Sequence, residues 1–395
     1  MSIPLVQKAL SERTIDGWLL YDFRGNNPLC RSFLQVSQEE HLTRRFFYWI
    51  PASGEPIALV HAIEPSALDH LPGEKRRYLR WDSLRAHLAE ILKNAHRVAM
   101  EYSPSAGIPS LSHVDAGTID LVRAQNVEVV SSGPLLGLFS STWDDKKLQS
   151  HLEAAQFLDR VVEEAWQLIS NSLEKGMEIS ECAVQDWLVE QFDVHGFVSD
   201  SPPMCATGVH TADPHYSPNR SAKTLIQRGD IILLDLWCKK KEKGAVYADI
   251  TRVGVVAKSP SSRQQEIFDI VKRARDVVTA FVQLNYEAGR EIKGCEVDEV
   301  CRKVIEEAGY GDYFLHRTGH NIDMQVHGPG THIDNFETRD DRPLVPHTCF
   351  SIEPGIYLPN EFGVRLEYDL YLASGSVLIS GGIQNRLRTL VEALD

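Results

Sequence analysis

Apolar residues recur along the first third of the chain in short, nearly continuous runs. Four such runs predict buried strands at residues 17–21, 57–60, 98–101 and 127–130, and apolar residues at helical spacing predict a helix over residues 84–93. Strands that alternate with helices favour a small α/β domain. No motif in this domain indicates chemistry.

The pattern changes at residues 140–147, where the polar sequence SSTWDDKK follows the last apolar run. Longer periodic segments then predict helices at 149–174, 180–195, 262–286 and 296–308. From residue 229 onward these helices are interleaved with strand-like runs, which suggests an α+β fold. We therefore predict an N-terminal α/β accessory domain over residues 1–145 and a larger catalytic domain over residues 146–395.

The charge of the chain narrows the choice of partners. The 395 residues include 55 acidic and 41 basic ones, a formal net charge of −14, which argues against binding to nucleic acid or to an anionic membrane surface. The sequence shows neither a signal-peptide pattern nor an apolar run of membrane-spanning length, so the expected location is the cytoplasm. Seven widely spaced cysteines without a Cys-x-x-Cys pair indicate neither a disulfide framework nor a zinc ribbon.

Two pairs of acidic residues in the second domain share the same spacing. Asp235 and Asp249 are 14 positions apart, and the same interval separates Glu353 from Glu367. Each pair lies on two apolar runs joined by a turn-rich loop, so two antiparallel hairpins would bring the four carboxylates onto one sheet face. Such a cluster would repel itself without cations. With the imidazole of His320, these mostly hard donors suit divalent ions such as Mn²⁺, Co²⁺ or Zn²⁺, and the chain is a candidate hydrolase.

These residues lie in motifs that resemble those of the pita-bread metallopeptidases, specifically the prolidase and aminopeptidase P branch. The matching segments are GDIILLD at 229–235, ADITR at 248–252, HRTGH at 316–320 with His327 seven residues later, SIEPGIY at 351–357, GVRLE at 363–367 and PHY at 214–216. The resemblance covers the second domain and implies a pita-bread fold there. The first domain fits the family's creatinase-like accessory domain in length. The overall fold class expected is α+β.

The resemblance also implies a role for each matching acidic residue. Asp235 would be a terminal ligand of one divalent ion, His320 and Glu353 terminal ligands of a second, and Asp249 and Glu367 bridges between the two. Two Mn²⁺ ions per subunit are expected, with Co²⁺ or Zn²⁺ as alternatives. Such ions would activate water and polarise the scissile carbonyl.

Catalytic and substrate-binding roles follow from the same resemblance. Glu353 is expected to act as general base and proton shuttle. His215 and His327 would donate hydrogen bonds to the substrate and to the developing oxyanion. Arg365 would orient a carboxylate or a substrate terminus, or else merely neutralise a neighbouring acidic residue. His316 is interpreted either as a substrate-binding group or as a core histidine.

Three positions depart from the family pattern. Trp237 stands two residues after the first Asp ligand, where a small residue is usual, and Gly328 replaces the acidic residue that usually follows the second substrate-side histidine. Val246 occupies the position of a tyrosine and displaces Tyr247 by one residue, which turns that side chain to the other strand face. The extra length between the two Asp ligands is a lysine-rich segment at 239–243, interpreted as a solvated turn or as a loop that recruits the carboxylate end of a peptide.

The function implied by the resemblance is metal-dependent hydrolysis of the peptide bond before proline, of the Xaa-Pro dipeptidase type. The expected enzyme is a homodimer that acts on short proline-containing peptides. Aminopeptidase P activity on longer peptides is the nearest alternative. A metal-dependent carbon–sulfur lyase on the same scaffold is a second, because fold does not fix chemistry. A binding module without activity is a third, and two buried carboxylate pairs argue against it.

Overall fold

The chain folds into two compact units in the computed structural model, which describes residues 2–37 and 40–391. The first unit ends at Ser140 and the second begins at Ser141. This division lies inside the polar segment at 140–147, a few residues before the predicted boundary after residue 145. None of the helices in the described ranges is long and apolar enough to cross a membrane.

The first unit alternates helices and strands, as the apolar runs predict. Its elements are α1 (Ile3–Glu12), β1 (Gly17–Asp22), α2 (Pro28–Leu34), β2 (Phe46–Pro51), β3 (Ile57–His61), β4 (Glu74–Tyr78), α3 (Trp81–Leu92), β5 (Arg97–Met100), α4 (Ala116–Arg123), β6 (Glu128–Ser131) and α5 (Gly133–Ser140). The six strands form one sheet in the order β4-β3-β2-β1-β5-β6. All four predicted strands are present, and the α/β class of this unit is confirmed.

Two strands of this sheet were not predicted. β2 is an aromatic-rich run that is almost wholly buried at the centre of the sheet, and its continuous apolar sequence is the same signal that predicts the other buried strands. β4 has the sequence EKRRY and lies at the sheet edge. Charged side chains are common on edge strands because they discourage pairing with other chains.

The second unit mixes long helices with short strands. Its elements are α6 (Asp145–Glu174), α7 (Glu181–Val194), β7 (Phe197–Val198), β8 (Met204–Thr207), β9 (Ile231–Lys240), β10 (Ala248–Val255), α8 (Ser262–Glu287), α9 (Gly294–Glu307), β11 (Asn321–Ile322), β12 (Cys349–Ile352), β13 (Gly355–Tyr357), β14 (Gly363–Arg365), β15 (Tyr368–Ala373), β16 (Ser376–Ser380) and β17 (Arg388–Thr389). The four predicted helices correspond to α6, α7, α8 and α9. The α+β class is therefore confirmed for this unit.

Side-chain caps fix where three of these helices begin. The side chains of Asp144, Ser180 and Ser261 each accept a hydrogen bond from a backbone N–H in the first turn of α6, α7 and α8. At α8, Gln264 completes a capping box with Ser261. These caps satisfy N–H groups that otherwise have no partner inside a helix.

Two antiparallel hairpins form the centre of the second unit. β9 pairs with β10, and alternate residues of this hairpin pack against opposite sets of helices. Leu233 and Val253 lie in the cluster that contains α8 and α9, whereas Leu234 and Ile250 pack with α6 and α7. The second hairpin is interrupted, because β12 pairs with β15 and β13 pairs with β14. Both predicted hairpins are thus present, and the second contains a break.

Candidate metal centre

A cavity of about 540 Å³ in the second unit brings the predicted site residues together. All nine of them line it: Asp235, Asp249, His320, Glu353, Glu367, His215, His316, His327 and Arg365. The cavity therefore contains four carboxylates, four imidazoles and one guanidinium from this set. His215, one of the nine, is exposed.

Asp235 and Asp249 reach the cavity because of strand alternation. The face of β9 that carries Leu233 into the core continues with Asp235 two residues later. In the β9–β10 register, Asp235 is opposite Thr251 and Asp249 is opposite Trp237. All four side chains therefore lie on the same face of the hairpin, next to the buried core.

Glu353 and Glu367 occupy the break in the second hairpin. The pairs Ile352–Tyr368 and Gly355–Arg365 belong to one continuous register, in which these two glutamates stand opposite each other. Neither strand is assigned at these positions, so the glutamates are free to turn toward the cavity. The backbone N–H of Glu367 donates to the Thr251 carbonyl at 3.3 Å and so joins the two hairpins.

A close backbone approach positions His320. A side chain at the preceding Gly319 would overlap the Ser351 carbonyl oxygen, with its Cβ only 1.9 Å away, so glycine is required there. The backbone N–H of His320 donates to Ser351 Oγ at 3.0 Å. Its Nε2 then lies 3.4 Å from Glu353 Oε1 and 3.7 Å from Asp249 Oδ2.

The donor set fits a divalent cation. One ligand atom each from Asp249, His320 and Glu367 lies within 4.8 Å of the others, and all three residues are buried. Asp249 Oδ1 is buried and has no hydrogen-bond partner among the described residues. Carboxylates packed against one another without donors are costly in a protein interior, and a cation would neutralise them.

The acid–base properties of the cluster have the same origin. Burial, followed by the nearby Glu367 and Asp235, raises the pKa of Asp249 well above its usual value. Burial likewise raises the pKa of Glu353 to about 7, against the opposing effect of Arg365. For His320, burial lowers the pKa well below its usual value, which favours the neutral imidazole that binds metals.

The guanidinium of Arg365 forms hydrogen bonds and an ion pair with other groups of the protein. Its Nη2 forms an ion pair with Asp235 Oδ2 at 2.5 Å, and its Nε donates to Thr251 Oγ1 at 3.0 Å. Nη1 donates to the Tyr357 hydroxyl at 3.0 Å and to the Pro214 carbonyl at 3.2 Å. Arg365 thus orients a carboxylate, and the acid it neutralises belongs to the other hairpin rather than to its own.

The histidines around the cluster have different surroundings. His316 accepts a hydrogen bond from the Tyr357 hydroxyl at Nε2 (2.7 Å) and donates from Nδ1 to the Arg317 carbonyl (2.7 Å), a tautomer assigned from this network. Burial lowers the pKa of His316 to about 3. The His327 ring meets the His320 ring edge-on with centroids 4.3 Å apart, and burial lowers its pKa to about 4.

Sequence reasoning missed several groups that line or support the cavity. Thr251 Oγ1 lies 2.6 Å from Glu367 Oε2 and 3.1 Å from Asp235 Oδ1. It follows Asp249 by two residues, so strand alternation alone could have placed it on the site face. The Tyr357 hydroxyl links Arg365 to His316, and nothing in its sequence context distinguishes it from a packing residue. Arg317 also lines the cavity.

The comparison with known protein families identifies the chain. The family model described as "Metallopeptidase family M24" matches residues 149–374, more than half of the chain. The chain belongs to metallopeptidase family M24. The matched segment lies in the second unit and contains every residue of the Asp249, His320 and Glu367 cluster.

The chain is also similar to known peptidases, and it spans only part of the length of several of them. The M24 chain is 29% identical to a putative Xaa-Pro aminopeptidase from Mycoplasma pneumoniae over 56% of this chain and 58% of that protein. It is 27% identical to the Xaa-Pro dipeptidase of Pyrococcus furiosus over 70% of this chain and 71% of that protein. The alignments to two further relatives span 50% and 64% of their lengths.

Among solved structures, dipeptidase PepE from Mycobacterium ulcerans superposes with a TM-score of 0.70. The two chains are 22% identical, and the superposition covers 99% of this chain and 97% of the other. Together with the M24 family match, this likeness confirms the expected pita-bread fold.

The departures from the family pattern have structural consequences in this M24 chain. Trp237 lines the cavity and donates from its indole N–H to Asp200 Oδ1 at 2.8 Å. Tyr247 is buried in an apolar cluster with Val246, and the Lys239 ammonium lies over its ring, 4.7 Å from the ring centroid. At Gly328, a Cβ would lie 2.3 Å from the Asn321 side-chain oxygen, which leaves no room for an acidic residue.

Proposed function

We propose that this chain is a metal-dependent peptidase that holds two divalent ions and hydrolyses the peptide bond before proline. The Xaa-Pro dipeptidase type is preferred. The observation that carries the proposal is the buried cluster of Asp249, His320 and Glu367, which includes a carboxylate oxygen without a partner in the described residues. The names of the relatives from Pyrococcus furiosus and Mycoplasma pneumoniae support the substrate class and support an aminopeptidase as the second candidate.

Five side chains would hold the ions: Asp235, Asp249, His320, Glu353 and Glu367. Divalent ions bound there would supply Lewis acidity toward water and toward the scissile carbonyl. Glu353 is oriented by the Ser351 hydroxyl, which donates to Oε1 at 3.2 Å. Its other oxygen, Oε2, would accept a proton from the attacking water and release it to the leaving proline nitrogen.

The remaining site residues would bind and orient the peptide. His215 and His327 line the cavity and would donate hydrogen bonds to the substrate carbonyl as negative charge develops on its oxygen. Arg365 keeps Asp235 in a fixed orientation through its ion pair. His316 supports Arg365 through the Tyr357 hydroxyl.

The test is hydrolysis of an Xaa-Pro dipeptide and an Xaa-Pro-Xaa tripeptide by chelator-stripped protein, with and without Mn²⁺, Co²⁺ or Zn²⁺. Cleavage of the dipeptide that returns with metal supports the proposal, and cleavage of the tripeptide alone moves the assignment to the aminopeptidase type. The Glu353→Ala variant should lose activity, whereas Arg228→Gln, an exposed charge outside the cavity, should retain it. Full activity after chelation, or in Glu353→Ala, would overturn the mechanism. Bound metal measured by mass spectrometry tests the expected two ions per subunit.

A further inference from the structure

A second guanidinium lines the same cavity, and its surroundings differ from those of Arg365. Arg317 is half-buried and lies on the segment between β11 and the preceding 3₁₀ turn at Gly311–Tyr313. All three nitrogens of Arg365 donate to protein groups. Within residues 2–37 and 40–391, the Arg317 side chain forms no hydrogen bond or ion pair, although its backbone carbonyl accepts from His316.

The charge of Arg317 reaches Glu353: burial raises the pKa of Glu353, and Arg365 and, to a smaller extent, Arg317 oppose that rise. Even so, none of the six described carboxylates that line the cavity forms a hydrogen bond or ion pair with the Arg317 side chain: Asp200, Asp235, Asp249, Glu337, Glu353 and Glu367. Asp235 forms an ion pair with Arg365, and Asp200 accepts a hydrogen bond from the Trp237 indole. A guanidinium keeps its charge at every physiological pH and presents a planar fork of donors that matches a carboxylate. The donors of the Arg317 fork face the cavity without a hydrogen-bonded partner among the described residues, so they are available to a carboxylate group of a ligand.

The position of Arg317 limits how long that ligand can be. Arg317 directly follows His316 and precedes His320 by three residues, and both histidines line the cavity. When the scissile carbonyl of a dipeptide lies at the metal cluster, its C-terminal carboxylate is only one residue away, about 3.8 Å along the Cα trace. A longer peptide would place a neutral amide at that point, and an amide cannot accept both donors of the fork.

We propose that Arg317 binds the C-terminal carboxylate of a dipeptide whose second residue is proline. This contact makes the free dipeptide the preferred substrate over longer or amidated peptides. The inference rests on the proposed peptidase function and selects between its two candidate types. The inference also assigns recognition of the substrate carboxylate to Arg317 instead of Arg365, because all three nitrogens of Arg365 already donate to protein groups.

The experiment compares an Xaa-Pro dipeptide with the same dipeptide carrying a C-terminal amide, using metal-loaded wild type, Arg317→Gln and Arg317→Lys. Loss of a charge-assisted pair predicts that Arg317→Gln lowers kcat/KM for the free dipeptide roughly 10- to 100-fold, mainly through KM, and leaves the amide almost unchanged. Arg317→Lys should recover part of the preference, because it keeps the charge but not the fork. Arg228→Gln serves as the matched control and should behave as wild type.

Two outcomes would overturn the inference. Wild type that cleaves the amide as efficiently as the free dipeptide has no carboxylate site, and this result needs no variant to fold. Equal losses on both substrates in Arg317→Gln would assign Arg317 a structural role. Wild type that cleaves neither substrate with any metal would instead refute the proposed function, so the two failures are distinguishable. The inhibition constants of proline and prolinamide provide a second test of the carboxylate contact. Arg317→Gln should weaken inhibition by proline and leave inhibition by prolinamide unchanged.

Discussion

Glu101 in the first unit and Asp249 in the second are both buried carboxylates, but their oxygens meet opposite surroundings. Glu101 accepts hydrogen bonds from the Trp18 indole at 2.7 Å, the Asn27 amide at 2.8 Å and the Ser132 hydroxyl at 3.1 Å. Asp249 has one oxygen without a partner in the described residues, and its charged neighbours include Glu367. Burial raises the pKa of both groups.

The difference separates a structural carboxylate from a functional one. Donors around a buried carboxylate offset part of its desolvation cost, as they do at Glu101, whereas carboxylates that face each other add repulsion to that cost. Burial or a raised pKa alone would therefore not identify the metal centre. A missing donor alone would not identify it either, because Asp323 and Asp369 also have one buried oxygen without a partner in the described residues. What distinguishes Asp249 is that its ligand atom lies within 4.8 Å of those of His320 and Glu367, where a cation could compensate the charge.

The largest expected effect follows from removing one charge of the cluster. Asp249→Asn should lower peptidase activity at least about 100-fold, because it removes a carboxylate that we propose as a ligand of both ions. The same variant should raise the free energy of unfolding of the metal-free protein, because one of several facing carboxylates becomes neutral. Denaturant unfolding in chelator and activity with added metal measure the two effects.

Asp298 provides the matched control for this variant within the second unit. It accepts hydrogen bonds from the Thr318 N–H and hydroxyl, the Arg302 side chain and the Asn335 N–H. Asp298→Asn should therefore destabilise the metal-free protein. If Asp249→Asn destabilises it equally, the proposed contrast between satisfied and facing carboxylates is wrong.

Metal binding should stabilise one of the two regions selectively. An ion at 100 times its dissociation constant stabilises the folded state by about 2.7 kcal/mol. Hydrogen exchange should therefore slow in peptides that cover β10 and residues 363–373 when metal is added to stripped protein. Peptides that contain Glu101 should not change. Equal protection in both regions, or protection that persists in Asp249→Asn, would contradict this prediction.

A smaller effect is expected at the satisfied carboxylate. Glu101→Gln places an amide N–H₂ against donors and should cost about 1–3 kcal/mol of stability, without changing metal affinity. Because burial raises the folded-state pKa of Glu101 above the usual 4.5, its contribution to stability is complete in acid and is lost as the pH rises through the folded pKa. The stability difference between wild type and Glu101→Gln should therefore narrow as the pH rises, and a difference that widens would exclude this account.

The contrast between Glu101 and Asp249 also shows what sequence could and could not predict. The alternation on β9 and β10 and the equal spacing of the acid pairs predicted the hairpins and the shared cavity. The partners of Glu101 lie 83 and 74 positions away at Trp18 and Asn27, so no local pattern shows that its charge is satisfied. Hydrogen bonds between residues far apart in the sequence depend on tertiary packing, and a local sequence pattern does not show them.

The two arginines of the motifs show the same limit. Arg365 and Arg317 both lie in family-like segments, and sequence reasoning assigned the substrate to Arg365. Only the folded chain shows that Arg365 pairs with Asp235 of the other hairpin. It also shows that the Arg317 side chain has no hydrogen bond or ion pair with the described residues, although its charge acts on Glu353. A sequence motif shows which charged residues are present. Tertiary contacts determine which of them can still bind a substrate.

The smallest effect is expected where water, rather than protein or metal, satisfies the charge. Lys241 lies on the exposed turn after β9, 3.7 Å from an Asp193 carboxylate that is also exposed. Exposed ion pairs contribute about 0–1 kcal/mol, so Lys241→Gln should change stability by less than about 0.5 kcal/mol. The turn is also the alternative site for a peptide carboxylate, and Lys241 does not line the cavity. The KM for a free Xaa-Pro dipeptide should therefore be unchanged in Lys241→Gln. A rise in KM that is absent for the amidated dipeptide would assign carboxylate recognition to this turn instead of Arg317.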